Sequence, residues 1–237
     1  MSEKLFDYQD GAQTCEGFVA SPTKEGKQPA VLVVHSWVGL GNVDKEAARH
    51  LSSLGYVGFA VDVYGKGKRD GVDGMQAKDL MQPFLDDRVK LEKRLIAAVE
   101  AARALPNVDA SRIAILGFCF GGLCALDVAR SGHEAIKGAI SFHGNLTPPG
   151  GAQKPIGAKV LVCHGFDDPM VKPEAVLAFT KEMNEAKADW QVHAYGHTMH
   201  GFTNPTANNP AHGVQYNETA SRRAWAAADD FLAEALG

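Results

Sequence analysis

The chain has 237 residues, 45% of them hydrophobic and 22% charged, a globular composition long enough to bury a large core without disulfide or metal staples. Its formal net charge of −4 argues against a general nucleic-acid binder, and no apolar run reaches the roughly 18 residues needed to span a membrane. Four cysteines with no CxxC pair rule out a disulfide framework and give no support to a zinc or thioredoxin-like site. Cys15, Cys124 and Cys163 read as small buried hydrophobes in a reducing compartment. The start, MSEKLFDYQDG, lacks the basic-then-apolar pattern of a signal peptide, so a cytoplasmic location is expected.

In chain order, AVLVVH (30–35) is a continuous apolar run, as expected of a strand buried on both faces. Residues 43–54 read as a helix that Gly55 can end. VGFAVDVY (57–64) is the next strand, and a loop rich in glycine and charge follows (65–74). Residues 75–104 look helical, with Pro83 as a candidate break and 88–105 as the clearest stretch. RIAILGF (112–118) is a strand and 121–131 a helix. KGAISFHG (137–144) and KVLVCHG (159–165) are strands separated by the loop TPPGGAQKP. Residues 173–186 form a helix, 189–195 a strand and 220–236 the last helix. This alternation predicts an α/β fold in one domain over 1–237, with a mostly parallel central sheet and helices on both faces. Ligands of such sheets bind outside the carboxyl ends of the strands.

One such end carries Gly117-Phe118-Cys119-Phe120-Gly121-Gly122, a G-x-C-x-G pattern between a predicted strand and a predicted helix. This is a nucleophile elbow with cysteine in the serine slot. The glycines leave room in a cramped turn, and the helix N-terminus favours a thiolate at Cys119. The amide of Phe120 points toward a substrate oxyanion. An elbow nucleophile needs an acid and then a histidine, in that chain order. The strand VLVCHG is followed by Asp167 and Asp168, and the strand WQVHAY by His197 and His200. The residues alone leave both choices open. His35, His143 and His164 also fall at strand ends and are candidates to line the same site.

Three segments, GFCFGG (117–122), HGFDDPMV (164–171) and HGFTNP (200–205), together with the ending SRRAWAAADDFL, resemble the dienelactone hydrolase (carboxymethylenebutenolidase) family over residues 15–236. The resemblance implies an α/β-hydrolase fold and a Cys-Asp-His triad acting on lactones and small esters, with no cofactor and no metal. It assigns Cys119 as nucleophile, Asp168 as acid and His200 as base, with oxyanion amides from Phe120 and Trp37. Ser36, Tyr64 and Phe202 are the candidate substrate contacts. The expected partner is a small-molecule ester or lactone, with neither nucleic acid nor membrane, and the chain is expected to be a monomer or small homo-oligomer. Two departures stand out. Ser36 occupies a position where the family usually has glutamate, and serine cannot carry a negative charge there. The stretch after His200 lacks the family's arginine; the basic residues Lys66, Lys68 and Arg69 are candidates to replace it but read rather as a solvated surface loop. Ser36 motivates an alternative, a catalytically weakened or non-catalytic small-molecule binder on the same fold. The pair Cys119 and Cys124 motivates another, a redox sensor.

Overall fold

A computed structural model describes residues 1–70, 72–152 and 154–237. The loops expected at 65–74 and 147–155 each contain one residue, Gly71 and Gln153, outside the described residues. The chain forms two compact units, Met1–Ile115 and Leu116–Gly237. The architecture is α/β with a mostly parallel sheet and helices around it. Among the described residues no helix is long and apolar enough to cross a membrane.

The first unit starts with an antiparallel hairpin of β1 (Ser2–Asp10) and β2 (Gln13–Ser21), which the sequence reading missed. Most of β1 is exposed, so it lacks the apolar run that marks the inner strands. β3 (Gln28–Val34) is buried at all seven positions, pairs in parallel with β4 (Val57–Val61), and is followed in the chain by α1 (Asn42–Ser53). Gly58 allows α1 to lie close, because a Cβ there would come within 2.2 Å of the Ala48 carbonyl oxygen. β4 stops at Val61, short of the expected residue 64, because the buried Asp62 carboxylate accepts the amides of Tyr64 and Gly65 (3.0 Å each) and turns the chain. α2 (Ala77–Asp86) runs through Pro83. The break expected at Pro83 falls instead at Asp87, whose carboxylate accepts the Lys90 amide (2.9 Å) and caps α3 (Arg88–Arg103). Lys66 is held by Asp7 and Glu16, both at 2.7 Å. The Arg69 guanidinium donates to the Val72 carbonyl at 2.7 Å. The strand order is β1-β2-β4-β3-β5, and β5 (Val108–Phe118) leads into the second unit.

The second unit contains α4 (Phe120–Ser131), β6 (Ile136–Phe142), β7 (Lys159–Gly165), α5 (Pro173–Glu185), β8 (Trp190–Tyr195) and α6 (Glu218–Leu236). A small hairpin of β9 (Asn208–Asn209) and β10 (Val214–Gln215) precedes α6. The strands β6, β7 and β8 pair in parallel. Side chains alternate faces along a strand, and β6 uses both of them. Gly138 faces Phe231 and Ala235 of α6, whereas Ser141, of opposite parity, faces Gly122 of α4. The two helices therefore cover opposite faces of β6. Arg130 at the end of α4 is buried and grips both oxygens of Glu182 on α5 (2.7 and 2.8 Å) while donating to the Leu146 carbonyl (2.8 Å). A planar guanidinium can satisfy all three acceptors at once, so the buried charge is paired.

Candidate active site

Four consecutive strand-to-loop junctions of the second unit carry chemistry-bearing residues. Cys119 follows β5, His143 follows β6, Asp168 lies beyond β7, and His200 lies beyond β8. At the first junction Cys119 has φ 56 and ψ −111, an unfavourable conformation for a residue with a side chain. Backbone crowding imposes it. A Cβ at Gly117 would lie 2.1 Å from the Gly121 carbonyl oxygen, and one at Gly122 would lie 2.6 Å from the Ser141 hydroxyl and 2.8 Å from the Gly144 Cα. The Cys119 amide donates to the Phe142 carbonyl (3.0 Å), and its carbonyl accepts the amides of Gly122 (3.0 Å) and Leu123 (3.2 Å). The turn is thus tied to the end of β6 on one side and to the first turn of α4 on the other. Cys119 is partly exposed; Cys15, Cys124 and Cys163 are buried. Burial pushes the Cys15 thiol up to about 11 and the Cys163 thiol up to about 12.

At the third junction Asp168 is buried. One carboxylate oxygen accepts the Met170 amide (2.8 Å), and the other accepts the Nδ1–H of His200 (2.7 Å). The loops that carry the two residues are joined through backbone. The Asp167 amide donates to the Thr198 carbonyl (2.9 Å), and a Cβ at Gly165 would come within 2.6 Å of that same carbonyl oxygen. His200 Nε2 is buried and, among the described residues, has no partner at regular hydrogen-bond geometry. Burial disfavours the charged imidazole, but the hydrogen bond to Asp168 and the neighbouring Cys119 outweigh it and raise the His200 pKa to about 10. The Cys119 thiol therefore lies close enough to the ring to help stabilise its charged form.

The rival pair behaves differently. The His197 ring is fully exposed, the Asp167 side chain is 46% exposed, and their closest approach is 3.8 Å. The structure therefore groups Cys119, Asp168 and His200 and leaves Asp167 and His197 at the surface.

His143, which the sequence marked only as a strand-end residue, belongs to this cluster. It is buried with φ 41, its ring meets His200 edge to face at 5.1 Å, and its Nε2 lies 2.8 Å from the Thr203 hydroxyl. Burial, with His200 adding to it, holds its pKa well below the ordinary imidazole value. Phe202 is fully buried, with its ring edge to face on His143 at 5.3 Å. His164 is buried, and desolvation lowers its pKa as well. Phe120 is buried and its amide opens α4.

The other predicted residues belong to the first unit. The His35 ring is engaged at both nitrogens, with Nδ1 2.7 Å from the Ser36 carbonyl and Nε2 accepting the Val63 amide (3.1 Å). Ser36 and Trp37 are half-buried in the turn that follows. Tyr64 is buried, and its hydroxyl donates to the Trp37 carbonyl (2.7 Å), which holds that turn in place. Among the described residues no group of three His, Cys, Asp or Glu side chains is arranged to hold a metal ion.

Residues 15–236 match the model of the Dienelactone hydrolase family. An uncharacterised Caenorhabditis elegans protein, K02A2.1, is 40% identical over 154 residues, covering 64% of this chain and 98% of that protein. A Bradyrhizobium protein named "Probable 2-oxo-3-(5-oxofuran-2-ylidene)propanoate lactonase" is 29% identical, covering 78% and 77% of the two chains. Among solved structures, P91, a dienelactone hydrolase-like promiscuous phosphotriesterase from metagenomic libraries, superposes with a TM-score of 0.90. It is 35% identical, over 100% of this chain and 99% of that one.

Proposed function

The chain belongs to the dienelactone hydrolase family, and from that premise we propose that it hydrolyses a small ester or lactone through a thioester on Cys119. Membership supports hydrolase activity on this substrate class. The observation that carries the finer reading is the buried Asp168–His200 pair at 2.7 Å, set beside a cysteine held at φ 56 at the start of α4.

In the proposed reaction His200 Nε2 takes the Cys119 proton, and the sulfur attacks the substrate carbonyl carbon. The resulting oxyanion is met by the amide of Phe120; one well-placed donor of this kind is worth about 3 kcal/mol. His200 then gives its proton to the leaving oxygen as the C–O bond breaks, which leaves a thioester. A water loses its proton to His200 and attacks the thioester. Breaking the C–S bond releases the acid, and His200 returns the proton to sulfur. Throughout, Asp168 fixes the tautomer and orientation of the imidazole and stabilises it when protonated. No cofactor enters this scheme.

The test is hydrolysis of a short-chain aryl ester, and of a five-membered unsaturated lactone, by wild type, Cys119→Ala and His200→Ala. Trapping of an acyl group on Cys119 by mass spectrometry is expected, along with loss of turnover in both variants. Wild-type turnover in either variant would overturn the assignment. A phosphotriester belongs in the same panel because P91, 35% identical, has that promiscuous activity.

A further inference from the structure

A small, largely exposed hairpin near the C-terminus is tied to one member of the buried pair, His200, and abuts Pro169, the neighbour of the other. His200 lies beside it, forming a parallel bridge with Val214. The His200 amide donates to the Gly213 carbonyl (2.9 Å), and the His200 carbonyl accepts the Gln215 amide (3.1 Å). Both backbone groups of the histidine are therefore held by one short strand. Gly213 has a second contact. A Cβ there would lie 2.2 Å from Cγ and 2.5 Å from Cδ of Pro169, the residue that follows Asp168. Its φ of 70 also belongs to the left-handed region that glycine occupies readily. One residue thus accepts the backbone of the histidine and abuts the ring next to the aspartate. The rest of the hairpin tip, Asn208–His212, is exposed, and a two-stranded hairpin has little stability of its own.

We infer that the β9–β10 hairpin is the positioning element for His200, with Gly213 setting the distance between the histidine loop and the aspartate loop. This rests on the reading of Cys119, Asp168 and His200 as the reacting set. Gly213 is joined to His200 by a backbone hydrogen bond and packs on Pro169, so its role runs through the histidine and aspartate loops. A methyl group at 213 must push Pro169 or the hairpin aside, which shifts Asp168 and His200 relative to each other. Displacements of about 1 Å between reacting groups can cost on the order of a hundredfold in rate.

The experiment compares wild type with Gly213→Ala, Pro169→Ala, the double variant Gly213→Ala/Pro169→Ala, and Gln215→Pro, which removes the amide that donates to His200 and leaves Gly213 in place. Steady-state kinetics on an aryl ester are combined with the rate of Cys119 alkylation by iodoacetamide and with thermal unfolding. Gly213→Ala is expected to lower kcat by about tenfold or more with KM within about twofold, since the defect lies in orientation and not in substrate binding. Pro169→Ala alone should stay within about threefold of wild type, and the double variant should recover about threefold or more of the lost kcat, because the obstructing ring is gone. Gln215→Pro should lose about fivefold in kcat with KM kept. Unchanged kcat in Gly213→Ala, or a double variant no faster than Gly213→Ala, overturns the inference. If Gly213→Ala does not fold, Gln215→Pro decides it, and wild-type kcat there overturns it. Cys119→Ala separates the two layers. If it is inactive and Gly213→Ala is fully active, the positioning role fails and the proposed function stands. If wild type hydrolyses no ester, the proposed function fails, and equal alkylation rates in wild type and Gly213→Ala overturn the positioning role independently.

Discussion

Asp168 with His200 and Asp167 with His197 are the same two side-chain types, one and three residues apart along the chain, yet they have little else in common. The first pair is buried, with a 2.7 Å hydrogen bond and the second carboxylate oxygen fixed by the Met170 amide. The second pair stands in solvent at 3.8 Å. In water two such charges attract by roughly 1 kcal/mol and are screened by salt; in a dry site the same attraction holds a proton and a ring orientation. The chemistry attributed to an acid–histidine pair therefore belongs to its surroundings, and the contrast can be tested one residue at a time.

The largest effect is expected at the buried histidine. His200→Ala should lower kcat/KM for ester hydrolysis by about 10³-fold or more, and a loss below tenfold would erase the distinction between the two pairs. Asp168→Asn should cost somewhat less, on the order of 10²–10³, and it should also move the pH profile. Asp168 is one of the groups that raise His200 toward about 10, so without its charge the alkaline limb of kcat/KM should shift to lower pH. An alkaline limb that stays put would mean that the carboxylate does not control this proton.

His143→Asn keeps a residue that tolerates positive φ while removing the ring that packs on His200, and is expected to reduce kcat by about tenfold with little change in KM. Equal kcat in wild type and variant would reduce His143 to a filler of space. A smaller effect lies in stability. His200 binds its proton more tightly in the folded chain than the ordinary 6.5. Its contribution is therefore complete below about pH 6.5 and is lost as pH rises toward about 10. Urea unfolding should show wild type losing stability relative to His200→Gln across that window, and parallel curves would contradict the pairing. Least of all should happen at the surface. Asp167→Asn and His197→Ala should each leave kcat/KM within about twofold of wild type.

Much of this site was legible in the sequence because its parts are local. A glycine-spaced cysteine between an apolar run and a helix is written in six consecutive residues, Gly117–Gly122, and the buried stretches of β3, β6 and β7 announce themselves as apolar runs. Residue type alone does not separate Asp168 from Asp167 or His200 from His197; burial does, and burial depends on the loops that pack around each. β1 escaped notice because it is an exposed edge. β4 was overestimated because Asp62 looks like any polar residue until its carboxylate is seen taking two backbone amides. The β9–β10 hairpin was invisible, since two-residue strands leave no periodicity to read and the fit of Gly213 against Pro169 joins positions 44 residues apart. His143 carried a weak signal, its place at a strand end, but not its contact with His200.

At Gly117, Gly122 and Gly144 main chain lies against main chain or against the Ser141 hydroxyl, leaving no volume for even one added carbon. Three places around Cys119 thus offer nothing to trim or enlarge. A laboratory that sets out to retarget this protein would find its elbow closed to graded adjustment: the sulfur can be exchanged for oxygen in a single step, but the frame that presents it accepts no intermediate sizes. Any tuning of substrate choice would have to be written elsewhere, in side chains that can be made larger or smaller without lifting α4 away from β6.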